Sequence, residues 1–135
     1  MRLLSMHDHS RYQLQQKLIK KDFSEEKINA VLNDLEQRQY LNDERYAEHY
    51  VHFRSSKGYG PVRIARELQE KGLSQNTVDD ALSVNDDQWL SLLKKQLDKK
   101  FGNKPPLNFS ERAKRARFLE YRGFPPWMIR DQLFD

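Results

Sequence analysis

The chain has 135 residues, 33% of them charged and 37% apolar, with 7 Phe, 6 Tyr, 2 Trp and no Cys. That apolar share is thin for one deep core, so one compact domain or a row of small modules, each burying one face, is expected. The missing cysteines exclude a disulfide framework, a cysteine-based zinc site and a thiol nucleophile, and no uncharged apolar run approaches the ~20 residues of a membrane span. The opening Met1-Arg2-Leu3-Leu4-Ser5-Met6-His7-Asp8 meets charge too early for a signal-peptide core, which points to the cytoplasm. Residues 1–85 balance 13 Lys/Arg with 13 Asp/Glu, whereas 94–122 hold 10 against 3. A positive field confined to the C-terminal part implies an anionic partner there, nucleic acid or an acidic protein surface; a merely solvated helix face is the alternative.

In chain order, residues 2–7 read as the remnant of a first helix. Helices are then expected near 10–20 and 24–38, at 43–56, 61–71 and 74–83, and at 86–101, 110–122 and 125–134. Neither sustained period-2 alternation nor an Asn-Gly or Asp-Gly turn appears, so no strand is expected. The pattern repeats. Leu68, Lys71, Leu73, Ser74, Val78 and Leu82 are matched 50 residues earlier by Leu18, Lys21, Phe23, Ser24, Ile28 and Leu32. They are matched 51 residues later by Leu119, Arg122, Phe124, Ile129 and Leu133. Each copy is a helix, a basic turn and a second helix. Gly72 and Gly123 supply the left-handed residue that ends the first helix, and Asp22 fills that place less comfortably.

The second helices share one opening device. Ser24 and Ser74 are N-caps, and Phe23–Ile28, Leu73–Val78 and Phe124–Ile129 have the spacing of a hydrophobic staple. A third helix precedes the pair, with cap Asn42 and staple Leu41–Tyr46, and again with cap Asn85 and staple Val84–Trp89. These two align at a step of 43, the difference falling in the loop 101–108. The fold expected is therefore all-α: tandem three-helix repeats, 1–39, 40–83 and 84–135, in an elongated, curved array. Tyr46/Tyr50/Phe53, Ile64/Ala65/Leu68 and Leu90/Leu93/Leu97 form the apolar stripes of its core.

The sharpest local motif is Lys57-Gly58-Tyr59-Gly60-Pro61. It lacks the spacing of a phosphate-binding loop. Gly58 just past a helix and Pro61 at the next helix start explain most of it. The segment also gathers Arg54, Lys57, Tyr59, Arg63 and Arg66 into a candidate binding corner. Lys94, Lys95, Lys99 and Lys100 line the helix side opposite the Leu90/Leu93/Leu97 stripe, and Arg112, Lys114, Arg115, Arg117 and Arg122 load the next helix. Cations on adjoining helices can track phosphates without reading bases. His7, His9, His49 and His52 show no metal-ligand spacing, and no catalytic motif or cofactor loop can be read. No enzyme activity, metal or cofactor is expected.

Three stretches together carry a resemblance: Tyr40-Leu41-Asn42-Asp43-Glu44-Arg45-Tyr46-Ala47, the run Lys57-Gly58-Tyr59-Gly60-Pro61 with Arg63, Ile64, Glu67, Leu68, Lys71, Gly72 and Leu73, and Arg117-Phe118-Leu119 with Tyr121-Arg122-Gly123-Phe124. With Asp8-His9-Ser10 they cover nearly the whole chain, which resembles the RecX family of bacterial recombination regulators. An absent N-terminal segment and Asp22 are its departures from the family pattern. The resemblance implies a non-enzymatic modulator that binds RecA and lodges in the groove of the RecA–DNA filament. It would restrain filament growth and so lower ATP hydrolysis, strand exchange and coprotease activity in recombination, DNA repair and the SOS response. It would act in the cytoplasm as a monomer, without cofactor or membrane. The contacts expected are Arg54, Lys57, Tyr59, Arg63 and Arg66 on one side, and Lys94, Lys95, Lys99, Lys100, Arg115 and Arg117 on the other. The second reading is a protein that binds DNA directly.

Overall fold

Short helices form wherever a cap and an apolar stripe coincide. The computed structural model describes residues 9–83 and 86–134, and all of its regular structure is helical. The helices are α1 (Arg11–Lys20), α2 (Glu25–Gln37), α3 (Asp43–Ser56), α4 (Pro61–Glu70), α5 (Gln75–Leu82), α6 (Asp86–Phe101), α7 (Phe109–Arg122) and α8 (Pro126–Leu133). Each lies within one or two residues of its sequence expectation. The remnant at 2–7, and cap Asn85 with the Val84–Trp89 staple, lie outside the described residues.

The start signals act as their chemistry requires. The hydroxyls of Ser24 and Ser74 accept from the amides of Lys27 and Thr77, and the Asn42 side chain accepts from Arg45. Ser10 caps α1 in a reciprocal box with Gln13. Helix α8 starts on Pro125 and Pro126 with no side-chain cap bond, and the Pro126 ring fits the first helical position, where no amide donor is needed. Gly58, Gly72 and Gly123 all have positive φ, and Asp22 stands at φ 65° in the corresponding place.

The chain divides into two compact units: Met1–Val51 with Glu67–Ala81, and His52–Arg66 with Leu82–Asp135. In the first unit α1 packs on α2, and Leu14, Ile28, Leu32, Leu35 and Leu41 form one buried cluster edged by Leu18. Arg11 pairs with Glu36, while its backbone amide donates to Asp43 at 2.8 Å. In the second unit α6 packs on α7 and α7 on α8, and Trp89, Leu93, Leu97, Leu119, Phe124, Met128 and Ile129 are buried.

One joint is built twice, once in each unit. In the first, the Ser10 hydroxyl donates to the Lys71 carbonyl at 2.6 Å. In the second, the Gly60 amide donates to the Arg122 carbonyl at 2.7 Å and the Val62 amide to the Gly123 carbonyl at 2.8 Å. Both joints set the start of one helix against the glycine turn ending another. A Cβ on Gly72 would collide with Tyr12, and one on Gly123 with Arg63. The turn glycines therefore serve close approach as well as φ. Asp22 tolerates its side chain because, among the described residues, its turn receives no such partner.

Two core expectations need correction. Phe23 has staple spacing yet is 49% exposed, while Ile28 is buried; the groove that Phe23, Ile28 and Val31 line with Leu18 and Lys27 is open. Phe53 continues the Tyr46/Tyr50 stripe by spacing but is 54% exposed. Positions 46, 50 and 53 share one face of α3, but that face is covered at Tyr46 and open at Phe53, near the helix end, where the Lys57 ammonium lies over the ring.

Candidate functional site

The second unit holds 15 Lys/Arg against 7 Asp/Glu, and the first 9 against 13. Much of this excess charge meets aromatic rings. Tyr59, held between Gly58 and Gly60, has three guanidinium groups around its ring: Arg54 at 4.1 Å, Arg63 at 4.3 Å and Arg122 at 5.1 Å from the centroid. Arg63 also lies 5.1 Å from the Tyr121 ring, and Arg122 lies 5.3 Å from Phe118. Lys57 sits over Phe53 at 5.6 Å. The ladder continues inward: Phe118 meets Phe101 edge-on at 5.5 Å, Lys100 approaches Phe118 and Arg115 approaches Phe101.

Two side-chain bonds lock the corner. Arg63 donates to the Tyr121 carbonyl at 3.1 Å and Arg122 to the Lys57 carbonyl at 3.2 Å. Both carbonyls lie at or just after a helix end, where such groups lack intrahelical partners and a cation meets the negative end of the dipole. Each ring contact contributes on the order of 0.5–2 kcal/mol, more where water is excluded. Their joint effect is to hold mobile guanidinium groups in fixed planes.

Of the residues expected at this corner, Arg54, Tyr59 and Arg63 are brought together and are half-buried, Lys57 is exposed beside them, and Arg66 is exposed on α4. Tyr59 is thus a hub for arginines, not a free aromatic anchor. Removing Tyr59 or Arg63 therefore removes packing within the second unit as well as any surface contact. Lys94, Lys95, Lys99 and Lys100 are all exposed on α6, but they do not share one side: Lys95 and Lys99 lie away from buried Trp89, Leu93 and Leu97, Lys94 flanks that stripe, and Lys100 continues it one turn past Leu97, over the Phe118 ring, while Arg117 is exposed on α7.

Arg115 is the clear correction. It is 6% exposed, bonded to Glu111 at 3.0 Å and set against Phe101. Glu111 also accepts from the Leu107 amide, so Arg115 braces the loop entering α7 and is no surface contact. Conversely, Arg122, Phe118, Tyr121 and Phe53 belong to this assembly although none was among the expected contacts. Arg122 could have been found: it occupies the same turn position as Lys71, next to a glycine.

Among the described residues no group of three or more His, Asp or Glu gathers as a metal site, and no helix is long and apolar enough to cross a membrane. Small capped helices joined at glycine turns, with a face of ring-held cations, define a tandem helical-module protein. Family models for the first, second and third three-helix domains of RecX match residues 1–35, 42–82 and 86–133. The chain is 41% identical to the Regulatory protein RecX of Cronobacter sakazakii, covering 92% of this chain and 81% of that one. It is 37% identical to that of Pseudomonas putida, covering 96% and 83%. The crystal structure of RecX from Lactobacillus salivarius superposes with TM-score 0.78 at 26% identity, over 93% of this chain and 82% of that one. The chain belongs to the RecX family of regulatory proteins.

Proposed function

We propose that this protein binds RecA and the RecA–DNA filament through the basic face of its second unit, and that it restrains filament growth by occupying surface, with no chemistry of its own. On this reading it works in the cytoplasm as a monomer of three modules, 1–39, 40–83 and 84–135. ATP hydrolysis, strand exchange and coprotease activity fall because the filament shortens. The observation that carries the reading is the ladder in which Arg54, Arg63 and Arg122 surround Tyr59. Fixed, planar guanidinium groups suit charge-assisted bonds to carboxylates or phosphates and lose little freedom on binding. Family membership supports RecA as that partner.

The test is RecA ATPase on single-stranded DNA with this protein titrated in. Inhibition is expected, and none should occur at equal concentrations of an unrelated basic helical protein. Unchanged RecA turnover overturns the reading, and ATP hydrolysis by the purified protein alone overturns its non-enzymatic part. A second reading, direct DNA binding, is favoured by the excess charge of the second unit. It requires equal affinity for bare strands and for filaments, whereas the RecA reading requires RecA to add affinity.

A further inference from the structure

The last module carries chain that the repeat does not call for. Residues 102–108 join α6 to α7, whereas only 57–60 join α3 to α4. The 51-residue step sets Pro61 level with Arg112, yet α7 already begins at Phe109 and runs 14 residues against 10 in α1 and α4. In repeat proteins such insertions often fall on the face that meets a partner. This one ends in the open: Leu107 is 87% exposed and Phe109 69% exposed, and the Phe109 ring meets that of exposed Phe134 at 5.8 Å. Between them the Asn108 side chain accepts from the Glu111 amide at 2.9 Å, so an N-cap fixes the backbone that presents both. The edge of this apolar patch is cationic. Lys104 precedes it, Arg112 stands one turn after Phe109, and Arg130 stands one turn before Phe134. Of the nearby carboxylates, Glu111 is taken by Arg115 and the Leu107 amide, and Asp131 is outnumbered. Clustered apolar side chains rimmed by charge mark a contact with protein. The cationic rim selects an acidic surface, and Leu107 gives a nucleobase no ring to stack on. We infer that Leu107 and Phe109 are the apolar anchor of the protein contact: they seat in a pocket edged by carboxylates on RecA, with Lys104, Arg112 and Arg130 at the rim. The inference rests on the reading that RecA is the partner, and it names the contact that is not electrostatic.

The experiment is co-sedimentation of the full chain with RecA filaments on single-stranded DNA at low and at high salt, with bare single strands measured in parallel by anisotropy. Leu107→Ser combined with Phe109→Ser should weaken filament binding at least about tenfold at both salt concentrations, as truncating a central interface anchor does. The salt dependence itself should not change, because no charge is altered. Affinity for bare strands should stay within about twofold, since the cations that meet phosphates remain. The conservative pair, Leu107→Met with Phe109→Leu, should stay within about threefold of the wild type on filaments, because comparable apolar volume remains. Both side chains are exposed and the Asn108 cap is untouched, so both pairs should fold, which circular dichroism checks. Three results overturn the anchor: filament binding kept by the Ser pair, an equal loss on bare strands, or a self-association of the wild type in sedimentation velocity that the Ser pair abolishes, which assigns the patch to a second copy. A wild type that binds filaments beside a Ser pair that binds them equally well sinks the anchor and leaves the RecA reading standing. A wild type that binds no filament overturns both.

Discussion

The two units solve the same folding problem and treat charge in opposite ways. Each closes its joint with the start of one helix on a glycine turn: Ser10 on Lys71 in the first, Gly60 and Val62 on Arg122 and Gly123 in the second. In the first unit cations meet carboxylates, as in Arg11–Glu36 and Arg38–Asp34, and acids outnumber bases. Lys71 there meets one ring, that of Tyr50, whose hydroxyl donates to Glu67 at 2.9 Å. In the second unit the cations converge on Tyr59, Phe118 and Tyr121 and outnumber acids about two to one. A ring orients the guanidinium group that lies over it. The fold alone does not demand that arrangement, because the first unit reaches the same joint without it.

The largest effect separates the joints from the turn that lacks one. Gly123→Ala and Gly72→Ala each place a Cβ at positive φ and against Arg63 or Tyr12. Each should cost about 2–4 kcal/mol, the sum of left-handed strain and overpacking. Asp22→Gly, at the same φ class without a joint, should instead stabilise by up to about 1 kcal/mol. Urea denaturation of the three variants reads both signs. If Gly123→Ala proves neutral, close approach is not what fixes these glycines.

Next in size is the internal brace. Glu111→Ala leaves the nearly buried Arg115 without its carboxylate and the loop amide of Leu107 without an acceptor. A loss of about 1–3 kcal/mol is expected, while filament binding by the folded variant stays unchanged because Arg115 does not reach the surface. Tyr59→Phe, which keeps the ring and removes only the hydroxyl, should change stability and binding little. Tyr59→Ala should lower stability by about 1–3 kcal/mol as its ring contacts and packing vanish. Parallel loss in both variants would mean that the hydroxyl, not the ring, holds the arginines.

Much of this was legible in the sequence, and the failures have physical causes. Helix ends were readable because Ser24, Ser74, Asn42, Gly58, Gly72, Gly123 and the prolines act locally. The repeat was readable because buried Ile28, Val78 and Ile129 and their partners recur at steps of 50 and 51 residues. Arg115 was misjudged because a letter's charge hides its geometry: it stands four residues before buried Leu119, on the inward stripe of α7, where its neighbours Glu111 and Phe101 are close. Phe53 and Phe23 follow apolar spacing, but spacing shows which face a residue occupies, not whether anything covers it. The assembly of Tyr59 with Arg122, 63 residues apart, is tertiary. Only the turn alignment of Arg122 with Lys71 hinted at it.

The central claim is that the second unit carries the binding face and the first does not. It is tested most directly by matched charge reversals: Lys94, Lys95, Lys99 and Lys100 to Glu in one variant, and Lys17, Lys20, Lys21 and Lys27 to Glu in the other. All eight are exposed, so both variants should fold. The measurement is the concentration that half-inhibits RecA ATPase on single-stranded DNA, taken at two salt concentrations. The first variant should require at least about tenfold more protein, and its sensitivity to salt should fall as long-range attraction is lost. The second should stay within about twofold of the wild type. Equal losses in the two variants, or none in the first, would contradict the assignment of the face to the second unit.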